Sequence, residues 1–241
     1  MATTLTGDTL IIGQDLYTSS SVPQHVIGQK AVTSDGRVFR YVLAGATALV
    51  PGKVQQAPAE TTAAQDETIT NVAVGDTTVT TTTTTTVTAN QMAGGFLVIT
   101  AGTLGIGQSY KIKSHPAASG AVVTYTLEDP IRVATTGTAR VDVYPNPYSG
   151  VIVCPTTLTS APVGVAVHPV AAAQYGWIQV GGPCPILADG ANAVGAAVVA
   201  SNNVAGSVED AASSGAQGPT IGTCLTGVAD AEYGLVNLLL S

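Results

Sequence analysis

The side chains of this chain that could do chemistry are few and widely spaced. His25, His115 and His168 stand far apart, and none lies in an HxH or HExxH arrangement. A metal site needs three or four converging ligands, so no metal and no cofactor is expected. Cys154, Cys184 and Cys224 are odd in number and widely separated. They fit neither a disulfide framework nor a CxxC motif and are read as small buried thiols. Glu128-Asp129 is a carboxylate pair, but Pro130 follows it, which reads as a strand ending in a turn. Use of the pair on a glycoside would need a cleft with sugar-gripping aromatics, and aromatic residues make up only 5% of the chain. Ser109 sits in Gly107-Gln108-Ser109-Tyr110-Lys111 and lacks the second glycine of a nucleophile elbow. No catalytic residue is assigned, and the chain is read as non-enzymatic.

Phosphate and nucleic-acid readings fail in the same way. Gly45 with Gly52-Lys53 has the wrong spacing for a phosphate loop, and Val54 stands where Ser or Thr is required. Gly102-Thr103-Leu104-Gly105-Ile106-Gly107 runs GxxGxG, not the dinucleotide order. Arg37 and Arg40 beside Tyr41 do not make a basic patch in a chain of net charge −7, with 8 basic and 15 acidic residues. Neither nucleic acid nor an anionic membrane is expected as a partner.

The elements around these residues are written in β language. Apolar residues are 45% of the 241, against 10% charged, with 27 glycines and 13 prolines to punctuate them. So many breakers argue against long helices and for many turns. Val32 to Leu43, with Asp35-Gly36 inside it, reads as a hairpin. Strands are expected at Phe96-Leu97-Val98-Ile99-Thr100, Gln108 to His115, Val122 to Leu127 and Val141 to Tyr144. The threonine run from Thr80 to Thr88, interrupted by Val87, is read as a strand because β-branched residues favour the extended chain. Ala193 to Ala200 is read as strand rather than helix. The apolar end, Leu235 to Leu240, is expected to be pinned inside a sheet or an interface.

Two related segments organise the last third. Val170-Ala171-Ala172-Ala173-Gln174-Tyr175-Gly176-Trp177-Ile178-Gln179-Val180 and Val228-Ala229-Asp230-Ala231-Glu232-Tyr233-Gly234-Leu235-Val236-Asn237-Leu238 share five identical positions. Each carries a small-residue turn into a Tyr-Gly step and then a strand. Tyr175, Gly176, Trp177, Tyr233 and Gly234 are therefore expected as equivalent structural corners.

The fold class is all-β: small β-barrel or β-sandwich domains with an extended N-terminal arm. Residues 1–57 are assigned to the arm and hairpin, 58–148 to a central sandwich or barrel, and 149–241 to a C-terminal β-domain. The first thirty residues contain apolar residues without a consistent period, among them Leu10, Ile11, Ile12 and Leu16, and are expected to lie as an arm on another surface. The start has neither the basic residues nor the long apolar core of a signal peptide, so synthesis in a cytoplasm is expected.

Several segments carry a resemblance. They include Asp35-Gly36-Arg37-Val38-Phe39-Arg40-Tyr41 with Leu49-Val50-Pro51-Gly52-Lys53, and Tyr110-Lys111-Ile112-Lys113-Ser114-His115-Pro116. Leu127-Glu128-Asp129-Pro130 and Asn146-Pro147-Tyr148-Ser149-Gly150 add to them. These resemble structural proteins of tailed bacteriophages. The stretch from Tyr175 to Gly182, with Ala188-Asp189-Gly190 after it, is similar to capsid decoration, or cement, proteins. The resemblance implies a virion protein on the capsid exterior that binds the major capsid protein and itself as a homotrimer. It would stabilise the shell, and Leu10, Ile11, Ile12 and Leu16 are expected to contact another subunit or the capsid surface. A head-fibre base, a tail or baseplate subunit, and a surface adhesion module are the alternatives.

Overall fold

The computed structural model describes residues 14–60, 64–213 and 217–240, and these are all-β with no helix. The chain divides into two compact units: Met1–Ala59 with Pro147–Ser241, and Glu60–Asn146. The first unit holds β1 (Lys30–Val32), β2 (Val38–Ala44) and β3 (Val54–Gln56). The inserted unit holds β4 (Glu67–Thr68), β5 (Thr78–Thr80), β6 (Thr85–Val87), β7 (Phe96–Ala101), β8 (Ser109–Ser114), β9 (Ala118–Ala121), β10 (Thr124–Leu127) and β11 (Arg140–Tyr144). The first unit resumes with β12 (Ser149–Val153), β13 (Pro162–Ala166), β14 (Tyr175–Leu187), β15 (Ala197–Ala200), β16 (Val208–Asp210), β17 (Gln217–Cys224) and β18 (Tyr233–Leu239).

In the first unit, β2, β12, β3, β13 and the first half of β14 form a closed five-strand barrel. β2 returns to β14 from Tyr175↔Leu43 to Gly181↔Val38 and closes the ring. Only the β12–β2 pair is parallel. Val42, Ala44, Val151, Ile178 and Val180 fill the interior. The sequence reading placed 1–57 and 149–241 in separate domains. The correction follows from closure: β2 and β3 lack three of the five strands, and only the C-terminal segment supplies them.

β14 runs for 13 residues and serves a second, curled sheet. Its second half pairs with β18, followed by β17, β15 and β16. The sheet's edges meet at the parallel bridge Ala188↔Val208. Cys184, Ile186, Ile221, Val236 and Leu238 fill this interior.

The two rings are one arrangement built twice. Tyr175↔Leu43 and Trp177↔Tyr41 in the first match Tyr233↔Leu187 and Leu235↔Pro185 in the second. Gly52 N–H donates to Ala166 O, and Gly195 N–H to Cys224 O, both at 2.8 Å. The bridge Leu49↔Val170 matches Asn192↔Val228. Ala173 and Ala231 both take left-handed backbone, at φ 55° and 62°. The expected equivalence of the two Tyr-Gly corners is thus the visible trace of a repeat that runs through both rings. They differ in one connection. Between β3 and β12 lies the inserted unit; between β15 and β16 lies only the loop 201–207. β3 and β12 are antiparallel neighbours, with Gln56↔Ile152, so the chain leaves and returns at adjoining strand ends.

The inserted unit orders its six-strand sheet β4-β11-β7-β8-β10-β5. Thr70 N–H donates to Thr80 O at 3.0 Å and Thr82 N–H to Thr68 O at 2.6 Å, bringing the sheet's two ends together. Leu97, Ile99, Ile112, Tyr125 and Val141 are among its core residues. The threonine run is not one strand. It is β5 and β6 around a bend, and its hydroxyls explain the break: Thr81 accepts from Val123 N–H at 2.8 Å, and Thr83 donates to the buried Glu67 carboxylate. Such side-chain-to-backbone bonds compete with a regular ladder.

Candidate functional site

The aromatic corner of the first ring lies on its outer face. Trp177 and Tyr41 point outward from paired positions of β14 and β2, with ring centroids 5.0 Å apart. Residues 14–29 lie over them. Trp177 Nε1–H donates to Gln14 O at 3.3 Å, and Tyr41 O–H to Gln14 Oε1 at 2.7 Å. The His25 ring stands 5.1 Å from Tyr41 and 5.2 Å from Trp177, and its Nε2 accepts from Gln14 N–H. Ser20 and Tyr175 exchange two backbone bonds, at 2.9 and 2.8 Å. Leu16, only 4% exposed, packs with Ala31, Phe39, Tyr41 and Trp177.

This places the expected contact residues. Leu16 is not offered to a neighbour; it is buried in the chain's own unit, because the outward aromatics of β2 and β14 need an apolar cover. Leu10, Ile11 and Ile12 lie outside the described residues. Gly176 and Gly234 are buried corners, each under the valine six residues before it. Trp177 is buried, Tyr175 half-buried and Tyr233 exposed.

The second ring carries the same outer face without the cover. Tyr233, Leu235 and Leu239 of β18 point outward and are 56%, 37% and 57% exposed. Pro183 and Pro185 of β14 lie opposite Asn237 and Leu235 and are exposed as well. Leu225, bonded through its N–H to Leu235 O at 2.8 Å, extends the patch. β14, β17 and β18 contain no charged residue. Exposed apolar residues without charge are thus gathered on one face of the second ring. Sequence reasoning anticipated an interface or a sheet for Leu235 to Leu240; β18 is an internal strand that also presents the face.

The chemically capable groups are dispersed. Among the described residues no group of three or more His, Cys, Asp or Glu side chains is placed to hold a metal. The three cysteines are free and buried, and burial pushes the Cys154 and Cys184 thiols up to about 12. His115 is buried, and its Nε2 accepts from Met92 N–H at 2.9 Å. Arg37 pairs with Asp35 at 2.8 Å and lies over Phe39; Arg40 donates to Gly28 O and lies over Tyr148. Glu128 pairs with Lys111 at 3.3 Å. Glu67 is buried in the inserted unit, and Tyr125 is pushed upward by burial and then by the Glu67 charge.

The inserted unit also has an open cleft of about 350 Å³ lined by Gln108, Ser109, Tyr110, Asp129, Arg132 and Val133. The Tyr110 hydroxyl is engaged there, donating to Gln108 Oε1 and accepting from Arg132 N–H at 3.0 Å.

No family model, no curated protein and no solved structure matches this chain.

Proposed function

We propose that this protein is a non-enzymatic structural component of a virion, a decoration protein that binds the outside of a tailed-phage capsid and reinforces it. The observation that carries the reading is the outer face of the second ring. Tyr233, Leu235 and Leu239 are exposed on strands without a single charge. Such a surface is completed by association rather than by a small ligand. The resemblance of the Tyr175 to Gly182 stretch to decoration proteins supplies the kind of partner.

The mechanism is mass action. A protein that binds the assembled shell but not its dissociated subunits shifts the equilibrium toward the shell. A standard interface buries about 1,600 Å² in total. A homotrimer engages several major capsid subunits at once, and its contacts then act at high effective concentration.

The test is quantitative. Purified particles are analysed for copies of this chain, and heads with and without it are compared for resistance to heat. The reading expects hundreds of copies per particle and a lower disruption temperature without the chain. A handful of copies at one vertex or on the tail sinks it in favour of another virion role. A second reading, a surface adhesion module, draws on the open cleft beside Arg132 and Asp129. Retention of the purified chain on host cells in the absence of particles would favour it.

A further inference from the structure

The open cleft of the inserted unit is lined by groups that the fold holds in place but does not neutralise. Its volume of about 350 Å³ is at the small end of ligand sites. The lining comes from two segments, Gln108, Ser109 and Tyr110 at the start of β8, and Asp129, Arg132 and Val133 after β10.

Both segments are anchored. Tyr110, 4% exposed, donates its hydroxyl to Gln108 Oε1 and accepts from Arg132 N–H at 3.0 Å. With Oε1 taken, the Gln108 amide keeps its Nε2 donors open. Ile131 is buried between Asp129 and Arg132. Its N–H donates to Asp76 O at 2.8 Å, and its C=O accepts from Gly75 N–H at 2.9 Å. Pro130 restricts the backbone beside it. The lining groups are therefore set before any ligand arrives, which lowers the entropy lost on binding.

The charges of the cleft are left over from the rest of the fold. Of the four arginines, Arg37 and Arg140 pair with Asp35 and Asp66, and Arg40 donates to Gly28 O. Among the described residues the Arg132 guanidinium has no partner, and neither has the Asp129 carboxylate. The adjacent Glu128 is neutralised by Lys111 at 3.3 Å. Asp129 and Arg132 thus line one cleft as opposite charges joined neither to each other nor to a neighbour.

We propose that the cleft binds a small zwitterion, an α-amino acid, with its carboxylate on Arg132 and the Gln108 Nε2 donors, its ammonium on Asp129 and its side chain against Val133. A guanidinium fork matches a carboxylate through two parallel bonds. Asp129 is acceptor only and suits an ammonium. Other ligand classes fit less well. A phosphate or sulfate would meet the like charge of Asp129. One carboxylate supplies too few ligands for a hard cation. A sugar ring would find no aromatic floor, since the Tyr110 ring is buried. The adhesion reading draws on the same cleft, but amino-acid binding requires neither a cell nor a shell, so its failure leaves both readings to their own tests.

The experiment uses the purified full chain. Its amide NMR spectrum is followed during titration with L-leucine, with isocaproate, which lacks the ammonium, with isoamylamine, which lacks the carboxylate, and with sulfate. Asp129→Asn and Arg132→Gln are titrated in parallel. Both residues are exposed, and unchanged spectra away from the cleft report an intact fold. Leucine is expected to shift the amides of Gln108, Ser109 and Val133 saturably, with a Kd of about 1 mM or tighter. Isocaproate and isoamylamine are expected to bind at least about tenfold more weakly, as is leucine to either variant. The advantage of leucine over isocaproate should disappear in Asp129→Asn, and its advantage over isoamylamine in Arg132→Gln. Leucine shifts that do not saturate, or that centre elsewhere on the chain, overturn the proposal. So does sulfate binding as tight as that of leucine, which would make the cleft a plain anion site. Leucine binding indifferent to either substitution overturns it as well.

Discussion

Gly176 and Gly234 hold the same position in two successive rings, each directly beneath a valine. A Cβ on Gly176 would stand 2.6 Å from Val170 Cγ2, and one on Gly234 would stand 2.8 Å from Val228 Cβ. The two glycines are places where the turn folds back onto its own strand and no methyl fits.

Gly176→Ala and Gly234→Ala are each expected to destabilise the protein by about 1–3 kcal/mol, the usual cost of forcing an extra carbon into a filled site. Denaturant unfolding measures this. Val170→Ala in the Gly176→Ala background is expected to recover part of the loss, since it removes the clashing methyl. Additive losses in the double variant would contradict the contact.

Leu16→Ala is expected to cost about 2–5 kcal/mol, as for other buried leucines. It also exposes the indole it covers. Trp177 is the chain's one tryptophan, so a red shift of emission and greater quenching by iodide report the loss directly. Unchanged emission would mean that residues 14–29 do not lie over Trp177 in solution.

The inserted unit should be removable. Deleting Glu60–Asn146 and joining Ala59 to Pro147 leaves a connection comparable to loop 201–207, which already does this task in the second ring. The shortened chain is expected to keep native Trp177 emission and cooperative unfolding. A molten product would show that the insert is needed for the rings to close.

Acid should weaken the fold through its histidines. Burial holds His25 and His115 below the ordinary value of 6.5. The folded state therefore favours neutral imidazole, and the unfolded state takes up protons first as pH falls. This contribution is complete above pH 6.5 and is lost as pH falls through the depressed folded values. The thermal midpoint is expected to begin its decline as pH falls below 6.5, before most carboxylates titrate. The decline should be shallower in His25→Gln/His115→Gln. An identical slope in that variant would assign the effect elsewhere.

The thiols act at the other end of the scale. Burial raises Cys154 and Cys184 to about 12, against 9.0 for a free thiol. In the folded protein they should resist alkylation at neutral pH and react only on unfolding. Their contribution to stability is full below pH 9 and is lost as pH rises toward 12, because unfolded thiols ionise first. Rapid alkylation of the native chain would contradict their burial.

What the sequence determined by itself was local. Asp35-Gly36 made its hairpin, with Gly36 at φ 84°. Phe96–Ala101, Ser109–Ser114 and Arg140–Tyr144 became strands, and the two Tyr-Gly segments became equivalent corners. Each of these depends on turn chemistry or on alternation within a few residues. Only the tertiary structure decided which strands share a barrel. β2 closes on β14 across more than a hundred residues of chain, and nothing in either strand's own pattern names the other. The same holds for the fate of apolar side chains. Leu16 and Leu235 are alike in the sequence, yet one is covered and the other open, because burial depends on which segment lies above a face. That depends on where the whole chain has been led, not on the residue itself.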